Sequence, residues 1–208
     1  MRQTDPTAQQ LLNQMVAAHQ ALFAFSAQVK VEAVSDKSRE VATATILYQK
    51  PNKARVEVTR SSGDKVLSVC DGINRLYMAS ITKKKQKAES GEKALVETLS
   101  QANLFIAPVF LYLSSRAAPV RGLLPGTVKT MGFGTPLTMD GVAVEVVAAD
   151  VATKDGEARI TFTIGKDDRL LRRLMVQTSY QKENFTLAET YTNIQANPKV
   201  DKKSFVVS

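Results

Sequence analysis

The side chains able to do chemistry are few and scattered. His19 is the only histidine and Cys70 the only cysteine in 208 residues, so neither a multi-histidine metal site nor an intrachain disulfide can be built. His19 falls on an apolar stripe, where a satisfied helix residue is the ordinary role. Cys70 closes the apolar run "VLSVC", a setting that suits a structural thiol better than a nucleophile. Asp167 and Asp168 are adjacent, would point to opposite faces of a strand, and sit in "IGKDDRL", which reads as a turn. The Gly-x-Gly of "MGFGTP" lacks the strand-to-helix setting of a phosphate loop. These residues predict no enzyme, no metal and no cofactor.

Charge is the next candidate. The net charge of +8 favours anionic partners, and two basic clusters concentrate it: Lys83, Lys84, Lys85 and Lys87, and then Arg169, Arg172 and Arg173. Either could meet anionic headgroups or a negatively charged membrane surface, where each basic group is worth about 1 kcal/mol. The bland role is a solvated strand end, and the lysine run after "MASIT" reads as a hairpin tip. Neither cluster is interleaved with the aromatic side chains that single-stranded nucleic acid requires, so no nucleic-acid partner is expected.

The elements that must position these residues are mostly strands. Valine, threonine and isoleucine recur in short runs punctuated by Asp-Gly, Gly-Asp, Asn and Pro, an all-β signature, and 44% hydrophobic residues suffice for a sizeable core. A helix is predicted from Thr7 to about Phe23, with Leu11, Leu12, Met15, Val16, His19, Leu22 and Phe23 on its stripe and Asp5-Pro6 at its start. Strands follow at 26–35, 40–49, 54–60, 65–70 and 74–80. After a helical insert over 91–125, broken near Pro108, they resume at 127–132, 141–150, 156–165, 169–181 and 184–195, with a last short strand at "SFVV". Links this short force antiparallel pairing. The whole of 1–208 is read as one domain, with 1–6 outside the fold. No stretch reaches the roughly eighteen apolar residues of a membrane span.

About ten antiparallel strands expose more apolar surface than three short helices cover. The sheet must split into a sandwich, close into a barrel, or curl partly and leave a cavity under the helices, and periodicity cannot separate these.

Several segments, in their order and spacing, resemble the LolA/LolB-like lipoprotein-carrier superfamily, including its predicted periplasmic proteins of unknown function. They are "LLNQMVAAHQALFAFSAQVKVE", the Lys-Pro-Asn link of "YQKPNKARVEV", the Asp-Gly hairpin of "VLSVCDGINRLYMAS", and the ending "YTNIQANPKVDKKSFVVS". The resemblance implies a mainly β (α+β) fold: a single strongly curved antiparallel sheet, an unclosed barrel, lidded by an N-terminal helix and short central helices. It implies a carrier for a lipid or a lipidated protein in the periplasm, its leader removed, or else anchored to the envelope. A monomer is expected, with an envelope membrane protein as donor or acceptor. The other reading on the same scaffold is an envelope sensor or structural protein that grips another protein, its cavity small or filled.

The residues expected to meet a ligand are Phe105, Val109, Phe110 and Tyr112 of the central helices, Met15 and Leu22 of the first helix, and Val56, Val58, Met78, Val144 and Phe162 of the strands. Phenylalanine and methionine present large or adaptable apolar surface to a flexible chain. Lys50 matches a family arginine that reaches the helical lid, so the resemblance implies a lid contact there, made by a single ammonium in place of a forked guanidinium.

Overall fold

The computed structural model describes residues 5–79, 82–88, 90–101, 126–154, 156–180 and 183–207. Helix α1 (Pro6–Ala21) is followed by β1 (Ala24–Ser35), β2 (Arg39–Gln49), β3 (Lys53–Arg60), β4 (Lys65–Cys70), β5 (Asn74–Ala79) and β6 (Thr82–Lys87). Then come α2 (Gly91–Gln101), β7 (Thr127–Phe133), β8 (Leu137–Met139), β9 (Val142–Thr153), β10 (Gly156–Gly165), β11 (Leu171–Tyr180), β12 (Glu183–Ala196) and a 3-10 helix, Lys202–Phe205.

The strands form one antiparallel sheet of twelve, in the order β6-β5-β4-β3-β2-β1-β12-β11-β10-β9-β7, with β8 paired to the other end of β9. The sheet is not closed into a barrel. Consecutive neighbours follow from tight turns: Asp71 accepts hydrogen bonds from the amides of Ile73 and Asn74, at 3.0 and 2.8 Å, and Gly72 takes φ 118°, where a Cβ would be strained. Among the described strands the long-range join is β1 with β12. Along it Gln28 accepts from Asn193 Nδ2 at 2.9 Å and the Asn197 side chain accepts the amides of Phe23 and Ala24.

The described residues fall into two compact units. One takes them from Met1–His19, Glu32–Glu40 and Ala117–Thr190, the other from Gln20–Val31, Val41–Arg116 and Tyr191–Ser208. In the first unit, Asp5 caps α1, accepting from the Thr7 amide at 2.8 Å, and its own amide donates to the Met131 carbonyl of β7. Leu11, Leu12, Met15 and Val16 are buried. In β10, Ile160, Phe162 and Ile164 are buried on one face, matched across the register by Val147 and Ala149 of β9 and by Leu174 of β11.

In the second unit the register sets one face of β2–β5 as Ala44, Ile46 and Tyr48, then Ala54, Val56 and Val58, then Val66, Ser68 and Cys70, then Arg75 and Tyr77. Helix α2 lies on this face: its Ala94 packs with Cys70 and Ala88, and its Glu97 pairs with Arg75.

Four expectations need correcting. Residues 82–87 form an edge strand paired with β5 from Asn74 to Ala79, not a hairpin tip; lysine-rich edges resist pairing with another chain, which is why the run looks loop-like. "SFVV" is not a strand: Asp201 caps the 3-10 helix by accepting from the Lys203 amide, and Phe205 and Val207 tuck against Val69 and Leu76. Helix α1 stops at Ala21, leaving Phe23 58% exposed and off the stripe. Asp5 and Pro6, placed outside the fold, begin α1.

Candidate functional site

The sheet face beneath α2 is built from alternate residues of four strands. Val56 and Val58 lie on it, 0% and 2% exposed, between Ile46 and Ser68 on one row and Ala44 and Val66 on the next. Tyr48, also fully buried there, donates its hydroxyl to the Pro51 carbonyl at 3.1 Å, and burial pushes its phenol up to about 12. Beside them the Cys70 thiol donates to the Asn52 carbonyl at 3.2 Å; burial pushes this thiol up, so it stays protonated and structural.

Two polar devices in this unit bond to helix residues. In the Lys-Pro-Asn link, the Lys50 ammonium donates to the Gln20 carbonyl in the last turn of α1, so the residue matched to the family's arginine does reach a helix. Its single charge neutralises the carbonyl end of the helix, which a lysine does as well as an arginine. The same link receives the start of α2: a Cβ on Gly91 would lie 2.4 Å from the Asn52 amide nitrogen and 2.5 Å from the Gly72 carbonyl oxygen. Ser90 caps α2, accepting from the Lys93 amide at 3.2 Å.

The second device is Arg75, which the sequence reading did not single out. It is 7% exposed and donates from Nη2 to Glu97 Oε2 at 2.7 Å and to Gln86 Oε1 at 2.9 Å. Its Nε and the Ser68 hydroxyl are buried and have no hydrogen-bond partner among the described residues. A charged residue at an alternating position that should be apolar was the available signal: "NRLYMA" places Arg75 in phase with Tyr77.

Met78 was grouped with Val56 and Val58, but the β3–β4–β5 register puts it on the opposite face with Leu67 and Leu76. There the C-terminal 3-10 helix covers Val69 and Leu76 but leaves Met78 38% exposed. A half-open groove of about 620 Å³ lies beside Met78 at the strand ends, lined also by Glu57, Val58, Lys65, Val66 and Lys83. Lys83, Lys85 and Lys87 stand on the Met78 side of β6, and Lys84 on the α2 side. Leu22, 7% exposed, belongs to the same unit.

In the first unit Met15 is fully buried, and Phe162 and Val144 are on opposite faces of the sheet, because Phe162 pairs with Val147 and Val144 with Gly165. The strand candidates therefore do not converge on one surface. Arg169 sits in a turn at φ 58° and pairs with Glu145, and Arg172 pairs with Asp168, so these two arginines already have counter-ions; Arg173 is half-buried in β11. His19 donates from Nδ1 to the Met15 carbonyl at 2.8 Å, and burial holds its imidazole down at about 4, against the pull of that bond and of Asp168. Phe105, Val109, Phe110 and Tyr112 lie outside the described residues. Among the described residues no group of three metal-ligating side chains occurs, and no helix is long and apolar enough to cross a membrane.

The family described as predicted periplasmic protein DUF2092 matches residues 8–208. The chain belongs to this family. No curated protein matches it. The DUF2092 chain is similar in structure to the lipoprotein LppX of Mycobacterium tuberculosis, with TM-score 0.57 and 14% identity over 95% of this chain and 100% of that one. LprF of Mycobacterium bovis matches with TM-score 0.52 and 13% identity over 95% and 97% of the two chains. The MucA/MucB complex of Pseudomonas aeruginosa matches with TM-score 0.51 and 12% identity over 97% of this chain and 61% of that one. At these identities the likeness is one of fold alone.

Proposed function

We propose that this DUF2092 protein is a periplasmic carrier that receives the acyl chains of a lipid or lipidated protein on the β2–β5 face, with α2 as the lid. The observation that carries the reading is the apolar row Ala44, Ile46, Tyr48, Ala54, Val56 and Val58 beneath one short helix held by few polar contacts. Moving each methylene from water onto such a surface contributes about 0.8 kcal/mol, so a long chain binds without covalent chemistry. Val56 and Val58 are the proposed chain contacts, joined by Leu22 and by Phe105, Val109, Phe110 and Tyr112; Met15, Val144 and Phe162 serve as core. Lys83, Lys85 and Lys87, with the exposed Met78, present the acceptor membrane with an anion-seeking face.

Native mass spectrometry of protein purified from envelope extracts, followed by organic extraction, tests the carrier reading. Recovery of a stoichiometric acyl lipid is the expected result, and a protein that stays empty and takes up no fluorescent fatty acid defeats it. The second reading, a protein that grips another protein, is favoured by the fold shared with the MucA/MucB complex; a persistently empty protein that co-purifies with one envelope protein would support it.

A further inference from the structure

Among the groups buried under α2, Arg75 is the one whose chemistry an apolar lid does not explain. A guanidinium stays charged at every working pH, so a buried one needs an anion beside it. In the structure that anion is Glu97 of α2, at 2.7 Å, with Gln86 as a neutral second partner. Glu97 belongs to the element that must rise for anything to reach the face below. When α2 rises its carboxylate leaves with it, and Arg75 faces the exposed surface uncompensated.

Two further donors wait on the same side. The Arg75 Nε–H and the Ser68 hydroxyl are both buried and hydrogen-bonded to nothing among the described residues, a costly arrangement that folded proteins rarely keep. The register places them together: Arg75 is directly opposite Cys70, and Ser68 is two residues along from Cys70 on the same face of β4. A fork of guanidinium donors with an adjacent hydroxyl is the donor set that suits a planar oxyanion, and it borders the apolar row through Val56, which is directly opposite Ser68.

We propose that Arg75 and Ser68 form an anchor for the acidic head of an acyl lipid, and that Glu97 occupies this anchor when the protein is empty. Cargo head and lid carboxylate then compete for one guanidinium, so uptake of an anionic lipid frees α2 while a neutral lipid leaves Arg75 unpaired. The proposal rests on the carrier reading and names the cargo class: an acyl chain ending in a carboxylate or phosphate.

The test compares a pyrene-labelled long-chain fatty acid with its methyl ester, which shares the chain but cannot pair with Arg75. Wild type should bind the acid about a hundredfold more tightly than the ester, the size of effect expected when a buried charge is left without its partner. Glu97→Gln removes the competitor and should tighten acid binding severalfold. In the variant carrying Arg75→Gln with Glu97→Gln, which strands no charge, the preference for acid should vanish, and the ester should bind more tightly than it does to wild type. Acid and ester binding wild type equally would overturn the anchor and leave the carrier reading standing; neither binding would remove both. Should the double variant not fold, an unaltered acid affinity in Glu97→Gln alone refutes the competition.

Discussion

His19 ties the stability of α1 to pH. Its folded imidazole is held near 4 while an unfolded one titrates near the ordinary value of 6.5. Between those values the unfolded chain binds more protons, so stability is complete above the unfolded value and is lost as pH falls toward the folded one. The loss should reach roughly 3 kcal/mol. Urea unfolding of wild type and His19→Gln at about pH 7.5 and about pH 4.5 checks this: the variant should lose much less stability on acidification. An equal loss in both would show that carboxylates alone set the acid limit. Arg75 offers a second residue-scale prediction. Glu97→Ala leaves a buried donor unsatisfied and should cost about 1–3 kcal/mol, measured as a lower urea midpoint with unchanged slope. The sequence made His19 legible because a histidine on an apolar stripe can only be buried there. Arg75 was harder to read, because its one signal, a charge in phase with Tyr77, fits a solvated side chain as well as a lid contact.

At the scale of elements, α2 is seated by proximity as much as by charge. Its first residue, Gly91, approaches the Lys-Pro-Asn link and the Asp-Gly turn so closely that a single methyl has no room. Gly91→Ala should therefore displace the start of α2 and cost about 1–3 kcal/mol, although alanine is the better helix former. Faster hydrogen exchange in α2, with β9–β11 unaffected, is the expected signature; an increase in stability would mean the close approach relaxes freely. The lysine strand β6 gives a prediction that depends on facing. Removing Lys83, Lys85 and Lys87 together should weaken binding to phosphatidylglycerol vesicles by roughly a hundredfold at about fivefold each. Removing Lys84, Lys154 and Lys166, the same total charge, should change it little. Equal losses would reduce the effect to net charge. Most strands were legible from alternation within two or three residues of their ends. Strand β6 was not, since "TKKKQK" has no apolar phase; it is a strand only because β5 offers it a ladder. The 3-10 helix was misread for the opposite reason, because "SFVV" has strand propensity and the capping of Asp201 prevailed over it.

For the molecule as a whole, alternation alone left sandwich, barrel and open sheet equally available, and the family likeness chose among them. What composition could not supply was which apolar residues share a side. Val144 and Phe162, or Val58 and Met78, are equally apolar in the sequence, and only the pairing registers separate them. The same registers leave β1 with an unsatisfied flank until β12, the last of the described strands, comes to lie beside it. A polypeptide made amino end first would thus have its first described strand waiting longest for a neighbour. Hairpin stretches can form as they appear, whereas the seam marked by Gln28 and Asn193 must close last, and pulse-labelled exchange should find the amides of β1 among the slowest to become protected.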